Sequence, residues 1–189
     1  GTVACATALC GGDVEIDGAN VNHLGAVINC LQSKDCKIDG DDTYMRVRST
    51  GRIHGVHAQS APYPLFPTDM QPQLLCASCF SDGVSVIRET VFENRFAHVK
   101  EMQKLGAKIN VRGDTATIFG CEKSDSPYLI KGGSVVASDL RAGGALCIAA
   151  LKIKGESKVY GVEFIDRGYE RIEDLFCSLG GYVLRTKDR

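Results

Sequence analysis

Apolar residues recur along the chain in two spacings, which predict strands and helices in a regular order. Three short segments that alternate apolar and polar residues predict strands, and these are Asp13–Asp17, Ser85–Glu89 and Lys158–Val162. After each strand the apolar spacing changes to three and four residues, which places the side chains on one face of a helix. The three helical sets are Leu24, Val27, Ile28 and Leu31; Phe92, Phe96, Val99 and Met102; and Ile172, Leu175, Phe176 and Leu179.

The predicted strands belong to an internal repeat. Val14, Val86 and Val159 stand at equivalent places, separated by nearly equal intervals of the chain. Each strand follows a small apolar segment that predicts a buried helix ending near a glycine. These segments are Thr2–Cys10, Asp69–Phe80 and Asp139–Leu151.

More strands complete each repeat, and together the elements define the fold class. They are predicted at Cys36–Ile38, Tyr44–Val47, Lys108–Val111, Thr115–Phe119 and Tyr182–Arg185. The unit is βαβαββ with its helices on one side of mixed strands, which predicts an α/β fold of the α+β type. Because the chain enters the first unit at its helix, we expect about two and a half units and therefore a truncated architecture.

Composition and charge exclude several classes of protein. Hydrophobic residues make up 44% of the 189 residues, which excludes a disordered chain. The formal net charge of −1 argues against a nucleic-acid-binding or lipid-binding domain, since such domains are usually basic. No apolar run approaches the ~18 residues that a membrane helix needs. We therefore expect one domain that binds neither nucleic acid nor membrane.

Nine cysteines occur without the pattern of a disulfide framework, because their number is odd and no secretory signal precedes them. The one CxxC pair, Cys76 and Cys79, lies in an apolar stretch, and no second pair completes a zinc site. We expect both thiols to be small buried residues. The sequence thus predicts no metal site and a reducing, cytosolic compartment.

Charged residues recur at equivalent places in the repeat, where strands lead into helices. Arg95 and Arg167 are separated by one repeat length, and Asp69 and Asp139 are separated by nearly the same interval, each at the start of an apolar helix. Arg141 follows Asp139 closely. Because helix N-termini and guanidinium groups both attract anions, three arginines on one rim predict a site for phosphate or carboxylate.

Purely structural roles are an alternative for the same residues. Asp69, Asp139, Asn94 and Asp166 are all suited to capping a helix N-terminus. An arginine at a helix start is often only a surface ion pair, and His98 is expected on the solvated face of its helix.

A proline-rich segment leads into Asp69. The segment, residues 61–67, contains three prolines, which fix the approach of the chain to Asp69. A rigid loop that delivers a carboxylate suits a general base, although it also suits a structural turn.

Four longer motifs carry a resemblance to a known family. They are Phe66–Met70 (FPTDM), Glu89–Phe96 (ETVFENRF), Ser138–Arg141 (SDLR) and Asp166–Glu173 (DRGYERIE). In order and spacing they resemble the UDP-N-acetylglucosamine enolpyruvyl transferases (UDP-N-acetylglucosamine 1-carboxyvinyltransferases). The resemblance extends over nearly the whole chain, from Gly1 to about Arg185.

The resemblance implies a fold and a reaction. The fold has two domains, each an inside-out α/β barrel of three βαβαββ units. The reaction transfers enolpyruvyl from phosphoenolpyruvate to the 3′-hydroxyl of UDP-N-acetylglucosamine and releases phosphate, as the first committed step of peptidoglycan synthesis. It requires a base, a proton donor for the methylene carbon and cationic groups for phosphate and carboxylate, and we expect no cofactor and no metal.

The resemblance also implies residue roles. Asp69 matches the aspartate that binds the sugar hydroxyl and is the proposed catalytic base. Val91 and Phe92 match positions near the sugar nucleotide. The arginines of the phosphoenolpyruvate side are matched by Arg95, Arg141 and Arg167.

The chain departs from the family in several places. Pro72 replaces the usual alanine, which a first helical turn tolerates, whereas Gly143 and Gly144 could loosen the helix start by ~1 kcal/mol each. The family's N-terminal Lys-Asn pair and its reactive cysteine loop are absent. The resemblance therefore implies that residues 1–189 are the C-terminal domain, without the start of its first repeat and without the partner domain. We expect this chain to be inactive alone and to bind the sugar nucleotide weakly.

Two other functions stay open. One is a related barrel such as an RNA 3′-phosphate cyclase, which predicts a catalytic histidine and a basic face. The other is a non-catalytic ligand-binding module built on the same fold.

Overall fold

Helices and short strands alternate along the chain. The computed structural model describes residues 1–121 and 130–186. In this part the helices are α1 (Thr2–Cys10), α2 (Gly25–Leu31), α3 (Gln71–Ser78), α4 (Ala97–Lys104), α5 (Leu140–Lys152), α6 (Val162–Ile165) and α7 (Ile172–Ser178). Two 3-10 turns, Val21–Leu24 and Thr68–Met70, precede α2 and α3. The strands are β1 (Gly12–Asp17), β2 (Cys36–Gly40), β3 (Tyr44–Ser49), β4 (His57–Gln59), β5 (Val84–Arg88), β6 (Lys108–Arg112), β7 (Thr115–Phe119), β8 (Ser134–Val136) and β9 (Lys158–Tyr160).

The described strands form sheets that repeat one topology. The first sheet has the order β1-β3-β2 and is antiparallel, with Val14 and Ile38 both opposite Val47. The second has the order β4-β5-β7-β6, in which β4 and β5 are parallel. The third pairs β8 with β9, again in parallel. Because β3 and β7 take equivalent central places, the structure confirms the repeat.

One described unit is complete. From His57 to Phe119 the elements run β4, α3, β5, α4, β6 and β7, which is the predicted βαβαββ order. The first unit contains α1, β1, α2, β2 and β3, and the third contains β8, α5, β9 and the two short helices α6 and α7. The mixed helix-and-sheet fold class is thereby confirmed.

Three helices form the centre of the molecule. α1, α3 and α5 pack against one another, and strands of the surrounding sheets pack on their outer sides. They are buried on nearly every side, with Cys5, Leu75 and Ala145 fully inaccessible to solvent. Small and apolar residues allow this close approach, since the helices carry no polar stripe that must face water. Truncation of Leu75 to alanine would therefore cost about 2–5 kcal/mol.

Gly143 and Gly144, which were expected to loosen the start of α5, allow neighbouring residues to pack closely against it. A Cβ on Gly143 would lie 2.4 Å from Cγ1 of Ile165, and one on Gly144 would lie 2.7 Å from the hydroxyl of Tyr169. The two glycines therefore let α6 and Tyr169 pack directly on α5. Pro72 lies in the first turn of α3, as expected.

The C-terminal segment differs from its prediction. Residues Tyr182–Arg185 were expected to form a strand, but in the described chain they pair with no sheet. Tyr182 and Leu184 are exposed, and the guanidinium group of Arg185 binds Asp166 at 2.7 Å and Glu173 at 2.9 Å. These ion pairs hold the segment against α6 and α7 in place of a sheet.

The longest described helix, α5, has 13 residues. Within residues 1–121 and 130–186, no helix combines the length and the apolar character required to cross a membrane.

Candidate functional site

Three segments from two neighbouring repeats meet at one edge of the central helices. They are the 3-10 turn Thr68–Met70 before α3, the loop of residues 89–96 after β5, and the first turn of α5. α3 and α5 pack against each other, and an ion pair between Asp69 and Arg141 joins their starts. This edge gathers Asp69, Arg95 and Arg141, three of the residues singled out from the sequence.

Asp69 lies between two guanidinium groups. Its Oδ1 forms an ion pair with Nε of Arg141 at 2.8 Å and accepts a hydrogen bond from Nη2 of Arg95 at 3.3 Å. Its Oδ2 accepts a hydrogen bond from Nη2 of Arg141 at 2.9 Å, so Arg141 binds the carboxylate through both arms. Hydrogen bonding to Asp69 raises the pKa of Arg141, although partial burial opposes this. Asp69 therefore binds two arginines and caps no helix. The capping role considered for Asp69 is excluded.

Arg95 is the more buried arginine of the pair. Its side chain is 20% exposed, against 39% for Arg141. The guanidinium carbon lies 5.4 Å from the centre of the Phe92 ring, which is a cation–π distance. Asn94, which was considered as a helix cap, instead adopts a left-handed conformation with φ of 55°. This turn, which asparagine tolerates, precedes Arg95 at the point where the loop leads toward α4.

Asp139 caps α5, as the sequence suggested. Its Oδ1 accepts hydrogen bonds from the backbone N–H groups of Arg141 at 2.9 Å and Ala142 at 3.0 Å. Burial opposes ionisation of Asp139, but these hydrogen bonds and the nearby charge of Arg95 lower its pKa. The cap fixes the backbone of Arg141 and therefore the origin of its side chain. Asp166, by contrast, caps no helix N-terminus and binds Arg185.

Val91 and Phe92 form an exposed apolar edge beside the charged residues. Their backbone N–H groups both donate to Oε1 of Glu89, at 2.8 Å and 3.1 Å. Sequence reasoning quoted Glu89 within a motif but assigned no role to it. The signal that was available is its position directly after strand β5, at the start of the Glu89–Phe96 motif.

Glu89 is only 3% exposed. Burial raises the pKa of such a carboxyl group, but hydrogen bonds from Ser60, Val91, Phe92 and Thr68 outweigh it and lower the pKa of Glu89. A buried charge is tolerated only when its hydrogen-bonding capacity is satisfied in this way.

Arg167 lies beside the site without joining the ion pairs. It is exposed, and none of the described residues forms a hydrogen bond or ion pair with it. Its neighbour Gly168 packs against Leu140, since a Cβ there would lie 2.7 Å from the leucine side chain. The structure therefore brings two of the three predicted arginines onto Asp69 and places the third next to the start of α5.

His98 contradicts the expectation of a solvated residue. It is 2% exposed, in α4, and lies near Asp139 and Arg95. Burial lowers its pKa to about 4, the charge of Asp139 opposes that shift, and the charge of Arg95 adds to it. A buried, uncharged imidazole therefore lies between residues that orient the site.

Chemically, the edge offers two cationic groups, one carboxylate and an apolar rim. Both guanidinium groups present planar donors that match phosphate or carboxylate oxygens. Asp69 is 55% exposed, so a ligand hydroxyl can reach its carboxylate from solvent. The arrangement can bind an anionic ligand and accept a proton from a hydroxyl group.

Comparison with solved structures defines the class of domain. The enolpyruvyl transferase NikO from Streptomyces tendae has this fold with a TM-score of 0.84 and 24% identity, over 100% of this chain and 43% of that one. EPSP synthase from Acinetobacter baumannii gives a TM-score of 0.75 and 18% identity, over 99% of this chain and 46% of that one. The fold is thus that of the enolpyruvyl transferases. The chain belongs to the EPSP synthase (3-phosphoshikimate 1-carboxyvinyltransferase) family, whose family model matches residues 1–176.

Curated relatives carry the name UDP-N-acetylglucosamine 1-carboxyvinyltransferase. The protein from Anaeromyxobacter sp. (strain Fw109-5) is 43% identical over 187 residues, and that from Gluconacetobacter diazotrophicus is 39% identical over 188 residues. The matches cover 99% and 100% of this chain, but only 43% of each relative. The chain therefore spans less than half the length of the curated relatives it matches.

Proposed function

We propose that this chain is the C-terminal domain of a UDP-N-acetylglucosamine 1-carboxyvinyltransferase. The enzyme would transfer enolpyruvyl from phosphoenolpyruvate to the 3′-hydroxyl of UDP-N-acetylglucosamine and release phosphate. Relatives with that name are 38–43% identical to the chain, whereas the EPSP synthase structures are 18% identical. This difference favours the sugar nucleotide over 3-phosphoshikimate as the acceptor.

The observation that carries the proposal is the exposed carboxylate of Asp69 between Arg95 and Arg141. Phosphoenolpyruvate bears a phosphate and a carboxylate, and each guanidinium group can bind one of them. Val91 and Phe92 provide apolar contact for the sugar nucleotide beside the same carboxylate. Arg167, near the start of α5, is available as a further cation for the phosphoenolpyruvate side.

In the proposed mechanism Asp69 accepts the proton of the sugar hydroxyl. The hydroxyl oxygen forms a bond to C2 of phosphoenolpyruvate while C3 gains a proton, and the adduct then loses phosphate and one proton from C3. Arg95, Arg141 and Arg167 would stabilise the charge that accumulates on phosphate and carboxylate. The proton donor for C3 would come from the partner domain, in keeping with the reactive cysteine loop that the resemblance implies.

The ion pairs suggest how Asp69 becomes available as a base. In the ion pairs, the oxygens of the Asp69 carboxylate are occupied by the guanidinium donors of Arg95 and Arg141. When an anionic ligand binds Arg95 and Arg141, it competes with Asp69 for the same donors. Ligand binding would therefore release the carboxylate toward the hydroxyl group.

The proposed reaction belongs to bacterial cell wall synthesis. The reaction would supply the first committed precursor of peptidoglycan in the bacterial cytoplasm, and cell wall formation, cell shape and cell division would depend on it. The other half of the cleft would come from the N-terminal domain of the same enzyme, so the chain alone would not turn over substrate.

A phosphate-release assay tests the proposal. The full-length product of the gene is incubated with phosphoenolpyruvate and either UDP-N-acetylglucosamine, 3-phosphoshikimate or an RNA with a 3′-phosphate. Release only with the sugar nucleotide is the expected result, and release only with 3-phosphoshikimate would overturn the substrate assignment. No release with any acceptor, together with sugar-nucleotide binding by calorimetry, would instead favour the non-catalytic module.

A further inference from the structure

Glu89 connects the two sides of the candidate site through a single buried carboxylate. Its Oε1 accepts hydrogen bonds from Oγ of Ser60 at 2.6 Å and from the backbone N–H groups of Val91 and Phe92 at 2.8 Å and 3.1 Å. Its Oε2 accepts a hydrogen bond from Oγ1 of Thr68 at 2.9 Å. Four donors from two separate segments therefore converge on one side chain.

One of those segments is the proline-rich loop that leads to Asp69. The loop is closed by the N–H of Ala61, which donates to the carbonyl oxygen of Phe66 at 2.9 Å. Ser60 precedes this closure and Thr68 follows it, so Glu89 holds both ends of the loop. Thr68 is the residue before Asp69, in the same 3-10 turn. A shift of Thr68 would therefore move the Asp69 carboxylate.

The other segment carries the apolar edge. The N–H groups of Val91 and Phe92 point back to Glu89, which turns their side chains outward. Ser60 strengthens this connection, because its Oγ also accepts a hydrogen bond from the N–H of Thr90 at 2.9 Å. The distance between Asp69 and the exposed edge is thus set through Glu89.

Hydrogen-bond directions define what Glu89 must supply. Two of its four donors are backbone N–H groups, which can only donate. Ser60 also donates to Glu89, while its oxygen accepts from Thr90. Only the hydroxyl of Thr68 can turn and accept instead. The site therefore needs an oxygen acceptor at the Oε1 position, while the Oε2 position tolerates a donor.

We propose that Glu89 is a positioning residue for the transfer reaction, which fixes the Asp69 carboxylate relative to the Val91–Phe92 edge without contacting substrate. The inference rests on the proposed function for its kinetic consequences, but the positions of the two segments can be measured without turnover.

Three variants of the full-length product separate position from charge. In Glu89→Gln the amide oxygen replaces Oε1 and the amide nitrogen faces Thr68, so we expect kcat/KM to remain within about threefold of wild type. In Glu89→Ala both segments lose their partner, and kcat/KM should fall about 100-fold, with a lower kcat and a higher KM for the sugar nucleotide. Thr68→Val removes only the donor next to Asp69 and should lower kcat about tenfold with little change in KM.

Asp41→Asn is the matched control. Asp41 is also a carboxylate that accepts two backbone N–H groups and a hydroxyl, from Thr43 and Tyr44, but it lies between β2 and β3 in the first repeat. Its replacement should leave both kinetic constants unchanged. The control separates a general effect of losing a carboxylate-bound turn from an effect at this site.

Hydrogen exchange without substrate gives a second readout. Glu89→Ala should accelerate amide exchange in residues 60–70 and 89–96, whereas Thr68→Val should do so only in residues 60–70. The inference is overturned if Glu89→Ala and Thr68→Val both retain wild-type kcat/KM and exchange, or if Glu89→Gln is as impaired as Glu89→Ala, because charge would then be the requirement. If exchange responds as expected but wild type shows no transferase activity, the proposed function fails and the positional role of Glu89 stands.

Discussion

The carboxylate of Asp69 binds the guanidinium group of Arg141, in the next repeat of the chain, through a hydrogen bond of 2.9 Å from Nη2 and an ion-pair contact of 2.8 Å with Nε. Asp69 lies at the start of α3 in the second repeat, and Arg141 lies in the first turn of α5 in the third. The contact therefore joins equivalent ends of successive central helices. The site is assembled because the same unit is repeated around a common centre. Asp69 belongs to one repeat and Arg141 to the next, and the packing of the two repeats brings these side chains together.

Replacement of Asp69 by asparagine tests the role of its carboxylate as a base. We expect Asp69→Asn in the full-length product to reduce kcat/KM by about 10²–10⁴-fold, the usual contribution of a positioned general base. Stability should change by less than about 1 kcal/mol, because the ion pairs are partly exposed. Steady-state kinetics and urea denaturation measure the two effects.

Asp13→Asn provides the control for that experiment. Asp13 is an exposed carboxylate that forms the same two-armed pair with Arg46, at 2.8 Å and 2.7 Å, in the first sheet. Its loss should leave turnover unchanged. If Asp69→Asn also retained wild-type kcat/KM, Asp69 would not be a catalytic group.

Replacement of Arg141 by lysine tests whether planar, two-armed binding is required. Lysine keeps the positive charge but provides no fork, so one charged hydrogen bond to Asp69 or to a ligand anion is lost. We expect Arg141→Lys to lower kcat/KM about tenfold or more, mainly through a higher KM for phosphoenolpyruvate. Arg46→Lys, in the exposed pair of the first sheet, should have no kinetic effect. Equal KM values for wild type and Arg141→Lys would contradict a direct role in anion binding.

Much of the fold could be predicted because the repeat is visible in the sequence. The valines at equivalent places, Val14, Val86 and Val159, lie in β1, β5 and β9. Local alternation and the glycine before each strand identify these elements without any knowledge of distant contacts. The strand predicted at Tyr182–Arg185 does not form, because it was also inferred from local alternation alone. Alternation indicates a strand only where a neighbouring strand is available to pair with it.

The site was less predictable, because its residues are defined by long-range contacts. Repeat position and motif resemblance singled out Asp69, Arg95 and Arg141, and these three meet in the structure. His98 was misjudged, since polar residues are expected at the surface, and Glu89 was assigned no role. Only the tertiary structure provides the four donors around Glu89, and only the packing of α4 against α5 shows that His98 is buried.

Replacement of Gly143 by alanine tests whether the glycine pair in α5 serves packing. Alanine should improve helix propensity by ~1 kcal/mol, but its Cβ would lie 2.4 Å from Cγ1 of the buried Ile165. Overpacking typically costs about 1–3 kcal/mol, so we expect net destabilisation in urea denaturation. Gly25→Ala is the control, because Gly25 has helical backbone angles and its added Cβ meets nothing within 4 Å. That variant should stabilise the protein by about 0.5 kcal/mol, and the same sign for both variants would contradict the packing role.

The buried imidazole of His98 makes stability depend on pH. Its pKa is about 4 in the folded chain, against an ordinary value of 6.5, so between these values the unfolded state binds more protons. The stabilising contribution of the neutral imidazole should therefore be fully present above about pH 6.5. As the pH decreases toward 4, the free energy of unfolding should fall by up to ~1.4 kcal/mol per pH unit. The carboxyl groups of Asp139 and Glu89, whose pKa values are lowered, add to the loss of stability at the acidic end of this range. Urea denaturation of wild type and His98→Gln between pH 7 and 4.5 measures the effect. The variant should show a slope smaller by up to one proton, whereas His57→Gln, which changes an exposed histidine, should keep the wild-type slope. Identical slopes for wild type and His98→Gln would mean that His98 is not held neutral in the folded protein.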